Sequence, residues 1–299
     1  MKFTHDRSLL YSRGDRDDPR LGDIAQMVSL QDFEKRFWDW AIIGFPDDRG
    51  VTLNGGRPGA AEGPAAIRKW LYRLVAPKPI GIADLGDLTM SDDLHADHER
   101  AAQAIAIALG HASRVAVLGG GHDWGFSPIS ALMQGGSAGF INFDAHLDVR
   151  PSKVHHSGTS YWRALEAGVN GEFAKWIGVQ RSATSAVHAA YVAAKKGTIC
   201  WARESTGGPV ALSGEKDGAD YYDISLDMDV FPIAEAPGVS APQPLGWEAQ
   251  TLLPVIKNVL SISKVRTFGI YEAAPLLDSN GDPTTRLAAR CLWEALSLP

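Results

Sequence analysis

Eight short apolar or β-branched runs punctuate the chain: Trp38–Phe45, Ile80–Leu85, Val115–Leu118, Gly139–Asp144, Phe173–Val179, Thr198–Ala202, Tyr221–Val230 and Val265–Tyr271. Runs this short and this continuously apolar predict strands buried on both faces. Most are separated by segments with helical spacing. Ala65–Leu74 brings Ile67, Leu71 and Leu74 near one side, and Ala96–Ala112 repeats Ala101, Ile105, Ala108 and Leu109. Ser182–Lys196 and Trp247–Leu260 behave in the same way, and Thr284–Leu298 closes the chain. Strands alternating with helices imply βαβ units, hence an α/β fold with a parallel sheet covered by helices on both sides. No Pro/Ser/Gly linker interrupts the pattern, so one domain over residues 1–299 is expected.

Two stretches depart from it. Asn54–Pro64 is a glycine-rich loop ahead of a helix. It lacks the Lys-Ser/Thr ending of a phosphate loop and the three-glycine dinucleotide pattern, so it is read as a rim loop touching substrate. Glu204–Asp220 is polar and rich in Gly and charge, a surface loop with no assigned function.

Composition narrows the partners. The net charge is −6 with no basic stripe, which argues against nucleic acid. The polar N-terminus, Met1–Asp23, does not resemble a signal peptide, and no apolar run approaches the length needed to span a bilayer. Cys200 and Cys291 sit in apolar stretches as core thiols, which suits a reducing cytoplasm.

The chemistry lies at the ends of the apolar runs. Gly119-Gly-Gly-His122, Asp144-Ala-His146-Leu-Asp148, Asp227-Met-Asp229 and Tyr271-Glu272 each follow a predicted strand. Side chains two apart on a strand share a face, so Asp144 with His146, and Asp227 with Asp229, are expected to project together. Asp148 can join them where the chain leaves the sheet. His122, Asp144, His146, Asp148, Asp227 and Asp229 then form a mixed oxygen and nitrogen set. Four carboxylates with two imidazoles suit a pair of Mn2+ ions, with Asp144 and Asp227 bridging. Turn aspartates capping helices are a common alternative for one Asp-x-Asp, but acidic segments recurring at several strand ends are not explained that way. Gathered carboxylates repel one another unless cations lie between them.

Taken together and in order, these motifs resemble the ureohydrolase superfamily of arginases, agmatinases and formimidoylglutamases. The resemblance implies a three-layer αβα fold with a mainly parallel sheet of about eight strands and a binuclear manganese centre. It places one metal on His122, Asp144, Asp148 and Asp227, and the other on Asp144, His146, Asp227 and Asp229. Within the superfamily the chain is most similar to formimidoylglutamase: Gly-Gly-Gly-His122-Asp123, Asp148-Val-Arg150-Pro, Ser157-Gly-Thr159, Ala236–Pro242 and Asn280–Arg286 carry that likeness. Asp227-Met-Asp-Val-Phe-Pro232 departs from the superfamily pattern by losing its third acid.

The implied reaction is hydrolysis of the amidine C–N bond of N-formimino-L-glutamate to L-glutamate and formamide, a step of histidine breakdown. Water bridging two dications loses a proton readily and can attack the amidine carbon. Asp148 is the expected proton carrier to the leaving nitrogen, and Glu272 the partner of the amidinium. Arg57 and Arg150 are expected to bind substrate carboxylates, with Asn54, Ser157 and Thr159 lining the pocket. His155 or His156 is a possible proton shuttle. His5, His95, His98, His111 and His188 read as surface or packing residues. Two rival readings remain open at this stage: an agmatinase or guanidino-acid hydrolase releasing urea, and a metal-binding protein without catalysis. The resemblance also carries an expectation of a homo-oligomer, trimeric or hexameric.

Overall fold

The computed structural model describes residues 1–202 and 218–298. Most of the predicted loop Glu204–Asp220 therefore lies outside the described residues. The strands are β1 (Phe3–Thr4), β2 (Gln26–Met27), β3 (Trp38–Gly44), β4 (Ile82–Leu88), β5 (Ala112–Leu118), β6 (Ala138–Phe143), β7 (Ala174–Val179), β8 (Thr198–Trp201), β9 (Tyr221–Asp227) and β10 (Val265–Tyr271). They form one sheet in the order β1-β4-β3-β5-β10-β9-β6-β7-β8, with β2 also paired to β4. Only β1 runs antiparallel among the described residues. The expected parallel strands are thus present, with the short β1 and β2 added at one edge.

The helices are α1 (Leu21–Ile24), α2 (Leu30–Phe33), α3 (Arg49–Leu53), α4 (Gly63–Leu71), α5 (Leu94–His111), α6 (Phe126–Met133), α7 (Ser160–Glu166), α8 (Ala186–Ala194), α9 (Ala249–Leu260) and α10 (Pro283–Leu296). Strand alternation sorts the core into two layers. Trp40 and Ile42 of β3, with Ala116 and Leu118 of β5, face a cluster holding Ile67 and Leu71 of α4, Leu252 of α9 and Leu292 of α10. Ala41 and Ile43, with Val115 and Val117, face the other way onto Ala101, Ile105 and Ala108 of α5. Further along that second face, Phe140 and Trp176 pack with Ile129 and Leu132 of α6 and Tyr161 and Ala164 of α7. Strands covered on both faces are why their sequences lack a clean alternation of polar and apolar residues.

A buried ion pair fastens one edge. Arg68 of α4 reaches Asp84 at 2.8 Å and Asp87 at 2.5 Å, both on β4. Removing one partner would leave an uncompensated buried charge, a loss of about 3–5 kcal/mol.

Helices α6 and α7 were not legible in the pattern. Each is short and buried on several sides, so neither shows one polar stripe, and Pro128 is tolerated because it falls in the first turn of α6.

Candidate metal centre

Strand order does the assembling. β5, β10, β9 and β6 are neighbours in the sheet, although β5 and β10 are far apart in sequence. Their carboxyl ends carry His122, Glu272, Asp227 with Asp229, and Asp144 to Asp148 respectively. The four segments therefore open on one place at one end of the sheet, where parallel α/β folds keep their sites.

The local geometry corrects one reading. β6 ends at Phe143 and β9 at Asp227, so the paired ligands are not consecutive strand positions on one face. They are held by turns. Asp144 Oδ1 accepts from the His146 amide at 2.6 Å, and Asp227 Oδ1 from the Asp229 amide at 2.8 Å. An aspartate bonding the amide two residues on is a self-made turn, and it leaves the second oxygen to face inward. Met228, between the two acids, is fully buried in the core as expected.

The Nδ1 atom of His122 lies 3.1 Å from Asp144, 3.1 Å from Asp148 and 3.0 Å from Asp227. It is buried, yet aligned for a hydrogen bond with none of them. Its Nε2 faces Ser225 Oγ at 2.9 Å and Tyr161 Oη at 3.1 Å, which orients the ring and leaves Nδ1 as the inward atom. On the other side, His146 Nδ1 lies 2.9 Å from Asp229 and 3.5 Å from Asp144. Donor atoms of His122, Asp144 and Asp148 fall within 4.8 Å of one another, as do those of Asp144, His146 and Asp229, so Asp144 belongs to both groups. An orphaned imidazole nitrogen against several carboxylate oxygens is what a shared cation satisfies and what hydrogen bonding alone does not. The residues fit a pair of divalent ions.

Electrostatics gives the same answer. Burial, with Asp144 alongside, pushes Asp148 up to about 6. Burial, then Asp229 and Asp144, drives Asp227 well above the carboxylate range. Against burial, Tyr161 and the neighbouring carboxylates lift His122, and Asp229 and Asp144 lift His146, above the ordinary imidazole value. Such a cluster calls for positive charge at its centre.

Glu272 is tied to the same turn. Its Oε1 accepts from the His122 amide at 2.8 Å, and its own amide donates to Gly120 O at 2.9 Å. Burial pushes its carboxyl up to about 8. Asp148 and Glu272 both adopt positive φ, 50° and 62°, as only two other non-glycine residues do among those described. Bulky side chains in left-handed backbone mark places where geometry outweighs local comfort. The glycine run ahead of His122 has a steric cause: a Cβ on Gly119 would lie 2.1 Å from the Tyr271 ring, and one on Gly120 1.9 Å from Asp47 O.

The centre floors a cavity of about 370 Å3 lined by His122, His146, Asp148, Asp227, Asp229 and Glu272, with Asn54, Arg57, Arg150 and Ser157 toward its rim. Three expectations change here. Thr159 does not line the cavity; it is fully buried and its Oγ1 donates to His156 O, closing the turn before α7. Arg57 lines the cavity, but its Nε and Nη2 are committed to the carbonyls of Ser240 and Val239. His155 sits apart from the centre, stacked on His98 at 4.0 Å and facing His95 at 3.2 Å, and lines a different cavity. Thr184, not singled out in the sequence, and His188, expected as a surface or packing residue, both line the main cavity. Supporting groups were also missed. Asn142 donates to Asp144 at 3.0 Å and Ser225 meets His122. Each is a polar residue in an apolar strand, two positions before a ligand motif, and that spacing was the available signal.

Residues 38–297 match the family model for arginases. The chain belongs to the arginase family. It is 34% identical to a formimidoylglutamase of Vibrio cholerae serotype O1, over 92% of this chain and 88% of that protein. Its fold superimposes on formimidoylglutamase from Bacillus subtilis with a TM-score of 0.88 at 27% identity, covering 96% of this chain and 94% of that one. Trypanosoma cruzi formiminoglutamase with Mn2+ matches at 0.83 and 29% identity, over 95% of this chain and all of that one. Among the described residues no helix is long and apolar enough to cross a membrane.

Proposed function

We propose that this chain is a binuclear manganese formimidoylglutamase: it hydrolyses the amidine C–N bond of N-formimino-L-glutamate, giving L-glutamate and formamide. The observation that carries the reading is the convergence of His122, Asp144, His146, Asp148, Asp227 and Asp229 at one end of the sheet, all but the buried Asp144 lining one cavity with Glu272. The similarity to curated formimidoylglutamases over most of the chain supports it. These six side chains would hold the metal pair, Asp144 belonging to both groups of candidate ligands.

When bound, the manganese pair supplies Lewis acidity and lowers the pKa of the water it holds. The protein's own groups do the rest. Glu272, fixed by the His122 amide, pairs with the cationic amidinium and orients its carbon over the cavity floor. A cation against Glu272 restores the charged carboxylate that burial disfavours. Asp148 takes the proton released as the C–O bond forms and delivers it to the glutamate nitrogen as the C–N bond breaks. Water's oxygen ends in formamide and the protonated nitrogen leaves in L-glutamate.

The test is direct. Purified protein with manganese should release formamide from N-formimino-L-glutamate and little urea from agmatine or guanidino acids. Urea as the main product would move the chain to the ureohydrolase branch, and full metal loading with no turnover on any amidine or guanidine would make it a silent metal-binding protein.

A further inference from the structure

Resting on that reading, the structure separates the two arginines expected to meet substrate carboxylates and adds a second donor that the motifs did not single out. We infer that Arg150 and His188 form a clamp for the side-chain carboxylate of the substrate, the end farthest from the amidine. The two residues come from different elements, Arg150 from the loop after β6 and His188 from the first turn of α8, and both face the main cavity.

Arg150 is built to be available. Among the described residues, no carboxylate lies within ion-pair distance of its guanidinium. Its Nη1 donates to Asn54 Oδ1 at 2.7 Å, and Asn54 in turn donates to Ser157 at 2.9 Å. That chain fixes the fork while leaving its remaining N–H groups unused. The stem lies over Gly158, where a Cβ would come within 3.1 Å of Arg150 Cδ and 3.2 Å of the Asn54 amide. The glycine of Ser157-Gly-Thr159 is thus the space the arginine occupies. Arg57 cannot take the same part with a full fork, because Ser240 and Val239 hold two of its nitrogens.

His188 supplies the second donor. It is half-buried at the cavity wall, and burial together with the nearby Arg150 charge holds its pKa below the ordinary histidine value. A neutral imidazole beside a guanidinium can donate N–H to the same carboxylate without adding charge repulsion.

The cavity is therefore polarised. Its floor carries Asp148, Asp227, Asp229 and Glu272, and its mouth carries Arg150 and His188. A substrate with a cationic amidine at one end and a carboxylate at the other matches that field. Agmatine, cationic at both ends, would place its ammonium against Arg150. Because Arg150 is exposed at the rim while the acids are deep, the anion it meets is the distal one.

The test uses manganese-loaded, full-length protein and two ligands, L-glutamate and L-2-aminobutyrate, which differ in the side-chain carboxylate. Calorimetry reads binding; N-formimino derivatives of both read turnover. Wild type should favour the glutamate form by about 10- to 100-fold. Arg150→Gln and His188→Gln should each collapse that ratio, mainly through KM, and Arg150→Lys should restore part of it. Circular dichroism and metal content confirm that each variant is folded and loaded. A ratio retained in both Gln variants, or absent in wild type, overturns the clamp. The two readings fail separately. Formamide release with an unchanged ratio leaves the hydrolase standing without the clamp. Glutamate binding lost in Arg150→Gln, with no formamide from either substrate, supports the clamp and removes the hydrolase.

Discussion

Asp148 and Glu272 hold left-handed backbone at the two places where the proposed chemistry uses a carboxylate at the sheet end. Their cost in local strain, about 1–3 kcal/mol each, is offset by surrounding contacts: the Tyr161 and Trp162 amides donate to Asp148 O, and Gly120 O accepts from the Glu272 amide. Glu272→Gln keeps the shape and removes the charge. We expect kcat/KM to fall about 100- to 1,000-fold with manganese content unchanged, measured by steady-state kinetics beside metal analysis. A loss of metal instead would place Glu272 among the ligands. A second residue-scale prediction concerns the buried histidine stack. Burial, then His98 and Arg163, lowers His155 to about 2. The unfolded chain, with an ordinary imidazole near 6.5, binds more protons between these values. Stability therefore falls as pH drops below about 6.5, by about 1–2 kcal/mol at pH 5 for this group. His155→Phe keeps the ring and removes the titration, so thermal unfolding from pH 7 to 5 should show a shallower slope in the variant.

At the scale of elements, the site depends on how closely segments approach. Asp47 precedes α3, and its carbonyl accepts from the Gly121 amide at 3.0 Å and the Trp124 indole at 3.2 Å. The His122 turn is thereby pinned between β3 and β10. Gly120→Ala would push a methyl group into the backbone carbonyl of Asp47, with nothing flexible to yield. We expect it to weaken manganese binding at least tenfold and to lower the melting temperature, read by metal titration and calorimetry. An unchanged affinity would mean the turn relaxes without moving His122. Ser160, at the start of α7, donates to His122 O at 2.5 Å, so α7 secures the same turn from the opposite side.

At the scale of the molecule, the sheet collects acids that cannot all ionise together without counter-charge. Removing the metal should cost stability as well as activity. Manganese at one hundred times its dissociation constant contributes about 2.7 kcal/mol per site, so chelation should lower the melting temperature by roughly 4 °C for each ion removed. Scans of chelated and reloaded protein check this, and no difference would mean that the acids are satisfied without a cation. Metal analysis of the reloaded protein should give about two ions per chain.

Strand positions and candidate ligands were legible in the sequence because both are local. Apolar runs mark buried strands, and Asp-x-His-x-Asp or Asp-x-Asp can be read at once. The order of strands was not local, and it alone makes β5, β10, β9 and β6 neighbours and closes the metal centre. The turns that hold Asp144 and Asp227 looked like strand faces, because a spacing of two fits either geometry. Rim contacts were the least legible. Whether an arginine is free or occupied depends on carbonyls nearly two hundred residues away, as Ser240 and Val239 decide for Arg57. His188 joins the cavity only because α8, packed against β8, brings it to the same space as Arg150. The sequence by itself determined which groups could bind cations and cleave an amidine, since that is a property of side-chain chemistry. Tertiary structure decided which cations at the rim are left without a carboxylate or carbonyl holding their fork, since pairing is settled by distances between segments remote in the chain.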